Sequence, residues 1–349
     1  MVQEEPSAFE VDEPPRPKPL LATPPPDSAS GMQTQIAPQP PLVEIHNLAA
    51  QWAHVGRTPR IHEIMPRLGS RMRFRCGGRC ITGPSHVDLK FNVCAWTSIL
   101  APTIFYYMAC APALWSMSPW IPTLTALLFA ITIAFLLITS CTDPGVIPRH
   151  SLRLVVDGLA EEVAIAIGCG GLPMDLTSME PDRRIMQELG DRGYRWCSFC
   201  RMVQPPRAKH CRDCDSCILR NDHHCPFVNN CIGQRNYIYF CAFLISVVCL
   251  GVAVFLGIGL WLWSAEGDES PISTTFETVL VSVLTIPTAV FLVGVLGLSV
   301  FHAVLICRGR TTREVLTGRR YGEGATLFGL RGKSLVDGRR LVTLPSLDV

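Results

Sequence analysis

Polar and apolar residues separate along this chain on the scale of whole segments. From Phe91 to Thr142, 52 consecutive residues include no Asp, Glu, Lys, Arg or His. A bilayer core takes about 20 apolar residues as helix, so this tract predicts two spans joined by a tight turn. The turn falls at SMSPW, Ser116–Trp120, rich in turn residues and flanked by the interfacial tryptophans Trp115 and Trp120. A third uncharged tract, Asn236 to Ala265, closes on the aromatic run Trp261-Leu262-Trp263. A fourth, roughly Thr278 to Phe301, carries Pro287, which is expected to kink it. A buried soluble core would explain one such tract, but not four of these lengths. The pattern predicts a polytopic α-helical membrane protein with four transmembrane helices.

The polar segments complete the organisation. Residues 1–60 read as a disordered tail, since eleven of the first 41 residues are proline, and with no apolar core there no signal peptide is expected. A basic juxtamembrane segment follows at 61–90, then spans one and two at 91–142. A cytosolic loop at 143–193 precedes a cysteine-rich block at 194–236, spans three and four at 237–307, and a C-terminal tail at 308–349. Within the loop, LAEEVAIAI (Leu159–Ile167) is expected to form a short helix. No internal repeat is read from the sequence.

Charge placement orients the chain. Arg67, Arg71, Arg73, Arg75, Arg79 and Lys90 precede the first span, and Arg308, Arg310 and Arg313 follow the fourth. The first hairpin turn is uncharged and the second has only the acidic Glu266, Asp268 and Glu269. Both termini and the Asp143–Arg235 loop are therefore expected on the cytosolic side. The net charge of +2 gives no reason to expect nucleic-acid binding.

The cysteines change the picture. Seven of the 16 fall between Cys197 and Cys231, on the side assigned to the reducing cytosol, where metal ligation or thiol chemistry is expected rather than disulfides. Cys197/Cys200 and Cys211/Cys214/Cys217 have the CxxC spacing at which a turn lets two thiolates grip one zinc. With His210, His223, His224, Cys225 and Cys231 there are ten candidate ligands in 35 residues. Structural zinc takes four ligands, so two sites use eight and leave two over. Adjacent side chains rarely reach one metal, so His210 and Cys211 should serve different ions. Likewise His223, His224 and Cys225 cannot all ligate. Spacing alone leaves open which two are surplus.

This block resembles the cysteine-rich domain of the DHHC protein S-acyltransferases, the membrane palmitoyltransferases, with the tetrad at Asp222, His223, His224 and Cys225. Asp143-Pro144-Gly145 after the second span and Thr311-Thr312-Arg313-Glu314 after the fourth match further motifs of that family. GRCITGP, Gly78–Pro84, is similar to the lead-in of the subfamily of the yeast Ras palmitoyltransferase. The resemblance implies that Cys197, Cys200, His210 and Cys217 hold one structural zinc, and Cys211, Cys214, His224 and Cys231 a second. It leaves His223 as base and Cys225 as nucleophile, with Asp222 orienting the imidazole and Thr312 hydrogen-bonded near Asp222. The implied reaction is a two-step transfer of a long-chain acyl group, palmitoyl, from acyl-CoA to Cys225 and then to a cysteine of a substrate protein.

Further expectations rest on the same resemblance. Arg207, Lys209 and Arg235 are candidates to meet the CoA phosphates. Partners would be palmitoyl-CoA and proteins with membrane-proximal cysteines, Ras-like GTPases among them, with an accessory subunit, in the Golgi or endoplasmic reticulum. The chain departs from the family pattern at Phe227, where Trp is usual, and at Gln204, where a basic residue is usual. It also lacks the C-terminal asparagine motif, since no asparagine follows Asn236. An inactive scaffold that binds partners through the zinc domain is the competing reading. It needs only the eight ligands and leaves an intact Asp222, His223 and Cys225 unexplained. A transporter is disfavoured because no charged residue lies in the predicted spans.

Overall fold

The computed structural model describes residues 47, 49–52, 57–166, 183–264, 271–318, 334–337 and 339–342. Residues 1–46 of the proline-rich tail and the turn between spans three and four lie outside them. The end of the tail corrects the expectation of disorder over 1–60: Ala49 is buried, Trp52 packs against the core of the hairpin layer and Arg60 bridges to Leu341. Four helices are long and apolar enough to cross a membrane, Asp88–Met117, Trp120–Cys141, Tyr237–Ser264 and Thr285–Cys307, and the chain is an integral membrane protein. The first begins as the helix Ser85–Phe105, six residues ahead of the uncharged tract, with Pro84 at its N-cap and Asp88 in its first turn. A carboxylate is favourable there because free backbone N–H groups point its way. The helix passes through a π-helical turn, Tyr106–Cys110, and ends at Met117, one residue before the break at Ser118. Pro287 lies inside the continuous helix Pro271–Cys307, so the proline does not end the fourth span.

The third span is the most enclosed, packing along the second and fourth. At the π-turn Tyr106 is fully buried against Gly257, where a Cβ would lie 2.3 Å from the ring. Only glycine admits that approach. Apolar side chains such as Leu124, Leu127, Leu256, Val290 and Val293 remain exposed, as lipid-facing positions require.

The block between spans two and three folds into short antiparallel hairpins. β1 (Arg73–Arg75) pairs with β2 (Cys80–Thr82) ahead of the first span. β3 (Val146–Ile147) adds to the hairpin of β6 (Lys209–Cys211) and β7 (Ser216–Ile218). β4 (Arg195–Cys197) pairs with β5 (Met202–Gln204), and β8 (His223–Cys225) with β9 (Asn230–Ile232). The loop also contains a helix, Leu159–Ala166, where one was expected. The core of this layer combines six cysteines with aliphatic side chains such as Ile61, Ile64, Ile147, Leu152, Met202 and Ile218. The C-terminal residues close it: the Ile61 N–H donates to Arg340 and the Val342 N–H to Pro59, while Val336 is fully buried.

A repeat that was not read from the sequence emerges here. The turns CSFC, CRDC and CPFV begin at Cys197, Cys211 and Cys225, 14 residues apart. In each hairpin that first cysteine pairs with the residue five positions on: Met202, Ser216 and Asn230. In each, the fifth turn residue takes a left-handed conformation, with φ of 48° at Arg201, 45° at Asp215 and 50° at Asn229. Such a residue lets a short loop close with the twist of its strands. Little beyond the cysteines and this backbone shape is shared, which is why letters alone conceal the repeat.

Candidate functional site

The first two hairpin turns feed two ligand clusters. Cys197, Cys200, His210 and Cys217 bring one ligand atom each within 4.8 Å of one another, and so do Cys211, Cys214, His224 and Cys231. His210 Nδ1 lies 3.4 Å from the sulfur of Cys200 and 3.9 Å from that of Cys217. His224 Nδ1 lies 3.4 Å from both Cys214 and Cys231, whose sulfurs are 3.5 Å apart. A tetrahedron with zinc–ligand arms of about 2.0–2.3 Å has edges of about 3.5–3.8 Å. The outer nitrogens fit as well: His224 Nε2 is 2.9 Å from Asp88 and His210 Nε2 3.3 Å from Asp215. A carboxylate behind the far nitrogen fixes the ring and tautomer of a metal-bound histidine. Both clusters fit zinc, and they are the two sets the resemblance implies. They interleave along the chain, so the hairpins are fixed together.

The third hairpin has the same turn but a different content. Val228, fully buried, stands where the other two turns have their second cysteine. The Cys225 sulfur belongs to neither cluster. Its side chain packs with Val228, Ile232, Tyr237 and Phe240, in the core of the spans rather than that of the zinc layer. Near it in the same hairpin lies the His223 imidazole, which the thiol influences electrostatically and whose Nδ1–H donates to Asp222 Oδ2 at 2.7 Å. Asp222 Oδ1 accepts the Thr312 backbone N–H at 2.8 Å. The Thr312 contact is therefore made by the main chain. Burial alone would lower the His223 pKa, but the hydrogen bond to Asp222 and the nearby Cys225 outweigh it and raise it to about 9. Burial works in the other direction on Asp222, yet its bonds to His223 and Thr312 hold the carboxyl below its ordinary range.

Several further side chains complete the site. Glu314 closes a capping box on Thr311 at the start of the helix Thr312–Leu316. It also pairs with Arg207 at 2.6 and 2.8 Å, with both side chains under a tenth exposed. Arg207 is thus committed to Glu314 and the Gly309 carbonyl, which corrects its candidacy for CoA phosphates. Arg235 faces Asp143, at 3.5 Å. Lys209 does line the cavity of about 580 Å³ that opens on Asp222 and His223, and Arg212 and Arg313 join it there. Behind His223, the buried His302 of the fourth span bonds the Tyr237 hydroxyl at 2.9 Å, and the Phe240 ring packs against both imidazoles. Gln204 donates to the Cys217 sulfur at 3.1 Å, so this neutral residue supports a thiolate. Phe227 packs edge-on against Phe91, with ring centres 5.6 Å apart.

Gly83 explains how closely the lead-in approaches this hairpin. Its N–H donates to the Asn229 carbonyl at 2.8 Å, and a Cβ there would lie 3.1 Å from that oxygen and 3.3 Å from the His224 ring.

Residues 191–319 match the DHHC palmitoyltransferase family. The chain is 36% identical over 219 residues to palmitoyltransferase ZDHHC5 of Bos taurus, covering 63% of this chain and 28% of that protein. It is 33% identical over 270 residues to palmitoyltransferase ZDHHC18 of Homo sapiens, covering 76% and 66%, and 32% identical over 268 residues to ZDHHC18 of Mus musculus, covering 76% and 67%. The chain therefore spans little more than a quarter of the length of the ZDHHC5 relatives, 28% of the Bos taurus protein, and about two thirds of the ZDHHC18 ones. The family match and the identity to relatives covered to two thirds of their length lead to one family: the chain belongs to the DHHC palmitoyltransferases.

Proposed function

We propose that the protein is a protein-cysteine S-palmitoyltransferase in which Cys225 is the acyl carrier. The observation that carries this is a thiol left out of two complete ligand clusters, in one hairpin with an imidazole that a buried carboxylate orients. A thiol at its ordinary pKa is only a few per cent thiolate at neutral pH, and an adjacent base removes that limit. With Nδ1 committed to Asp222, Nε2 of His223 is left to take the Cys225 proton. The thiolate attacks the thioester carbonyl of an acyl-CoA, the C–S bond to CoA breaks, and the imidazolium returns its proton to the departing CoA thiolate. In the second step His223 takes the proton of a substrate cysteine, whose sulfur attacks the acyl-enzyme and releases Cys225. One thioester replaces another in both steps, so neither ATP nor a redox cofactor is consumed. Zinc, held by the two clusters, supplies fixed geometry: His224 and Cys231 on either side keep the Cys225 hairpin in place.

Position supports the same reading. The Cys225 side chain packs with the core of the spans while the face of His223 opens to the basic cavity. An acyl chain then lies among the spans and the CoA phosphates meet Lys209, Arg212 and Arg313. Each CH₂ buried in the bilayer adds about 0.8 kcal/mol of membrane affinity, which is what the product protein gains. Arginine placement supports cytosolic termini and a cytosolic zinc domain. By analogy, the site of action is the Golgi or endoplasmic reticulum, and Ras-like GTPases with membrane-proximal cysteines are candidate clients, served with an accessory subunit.

Cys225→Ser tests the assignment. With labelled palmitoyl-CoA, the variant is expected to keep two zinc ions per chain and lose acyl incorporation. Unaltered incorporation, or loss of zinc, would discard it.

A further inference from the structure

The hairpin ahead of the first span carries a row of cations that the acyl-transfer site does not use. Arg71 leads into β1, and Arg73 and Arg75 lie on it. They alternate with Met72 and Phe74, and Arg79 follows in the turn. Met72 is buried in the core of the hairpin layer and Phe74 packs against it, while all four arginines are exposed. With a strand's period of two, Arg71, Arg73 and Arg75 share the face opposite that core. Elsewhere on the surface Arg57 pairs with Glu63 and Arg339 with Asp337. Among the described residues no carboxylate pairs with Arg71, Arg73, Arg75 or Arg79.

Hydrogen bonds set this row at the level where the spans end. β1 pairs with β2, Arg73 opposite Thr82 and Arg75 opposite Cys80. Three residues past Thr82 the first helix begins, at Ser85. The Ile81 carbonyl accepts from the Asn230 amide at 3.1 Å. The same amide donates, at 3.0 Å each, to the carbonyls of Ser140 and Thr142 at the C-terminal end of the second span. β2 is thus level with the ends of two spans, and β1 lies one strand spacing, about 4.8 Å, beside it. Leu89, Phe91 and Val93, exposed in the first turns of the first span, mark where lipid begins.

We propose that Arg71, Arg73 and Arg75 form a binding site for the headgroup of an anionic phospholipid, one carrying several phosphates above all. Residues two apart on a strand are roughly 6.8 Å apart, so neighbouring guanidiniums reach a single polyphosphorylated headgroup. Each planar guanidinium grips a phosphate through two N–H donors, which a lysine cannot do. Basic residues clustered beside a span attract anionic lipid, each changing affinity about fivefold near the surface. The bound lipid also anchors the layer above it. The Arg71 N–H donates to the Cys214 carbonyl at 3.0 Å, and the Gly83 N–H to that of Asn229 at 2.8 Å. The turns of the second and third hairpins are therefore bonded to the segment that holds the lipid.

The full-length zinc-loaded protein in detergent is titrated separately with dioctanoyl phosphatidylinositol bisphosphate, dioctanoyl phosphatidylcholine and inositol trisphosphate, and bound species are read by native mass spectrometry. The inositol lipid is expected to bind more tightly than phosphatidylcholine and than the soluble headgroup. Replacing Arg71, Arg73 and Arg75 together by Gln should weaken it about a hundredfold, as three fivefold steps require. Replacing all three by Lys keeps the charge that orients the chain, yet should weaken binding several-fold because the paired donors are lost. Arg339→Gln, which removes an exposed guanidinium elsewhere, should leave binding unchanged. The site is overturned if phosphatidylcholine binds as tightly, or if the Gln variant retains the lipid as the unsubstituted protein does. Should the Gln variant lose zinc, the Lys variant decides in its place, and unchanged binding there overturns the site. Inositol trisphosphate bound as tightly as the lipid would overturn the membrane-lipid reading in favour of a soluble phosphate.

Discussion

The hairpins at Cys197 and Cys211 and the hairpin at Cys225 share a turn shape, but the third lacks the second cysteine of the other two. In CSFC and CRDC both cysteines face a metal cluster; in CPFV the second is Val228, buried among span residues. A thiolate that ligates zinc is held by its metal, whereas one deprived of its gripping partner is free to react. The difference teaches that the same backbone serves two ends. Two copies fix the fold and the third presents a sulfur, with its position guaranteed by His224 and Cys231 of the neighbouring cluster.

The largest effect should come from breaking a gripping turn. Cys214→Ser removes a ligand of the second cluster, and zinc binding of about 10 kcal/mol or more per structural site is folding free energy for so small a core. Zinc content by atomic absorption should fall below two per chain and the hairpin layer should become protease-sensitive. Giving the third turn its missing cysteine sharpens the comparison with a smaller effect. Val228→Cys makes Cys225 part of a CxxC pair, whose redox balance shifts tenfold for about 30 mV. Acyl loading should drop about tenfold in oxidised samples and return with reductant, while zinc stays at two. The smallest effect should come from the support behind a ligand. Gln204→Met removes the donor to the Cys217 sulfur, and losses of this kind typically weaken metal binding about 10-fold to 100-fold. Competition with a chelator should reveal a shift near the lower end, with acylation at saturating zinc unchanged.

Much of this was legible in the letters, for physical reasons. Lengths without charge announce helices in lipid, because a backbone there must bond to itself. Ten candidate ligands in a short block announced two metal sites, and the resemblance divided them. The repeat stayed hidden because backbone dihedrals at Arg201, Asp215 and Asn229 carry it rather than residue types. Asp88 belongs to none of the motifs, yet it reaches His224 across 136 positions of sequence. His302 lay just past the tract read as apolar, and nothing in its spacing linked it to Tyr237. Arg207 read as a free cation because its partner Glu314 is 107 positions away.

The central claim is that Cys225 alone among the seven clustered cysteines is free of metal and carries the acyl group. It is tested most directly by incubating the zinc-loaded protein with palmitoyl-CoA and locating the hydroxylamine-sensitive thioester by peptide mass spectrometry while zinc is counted in the same sample. The account predicts an acyl group on Cys225 with both zinc ions retained. A thioester on another cysteine of the block, or a Cys225 that takes the acyl group only after zinc is stripped, would contradict it.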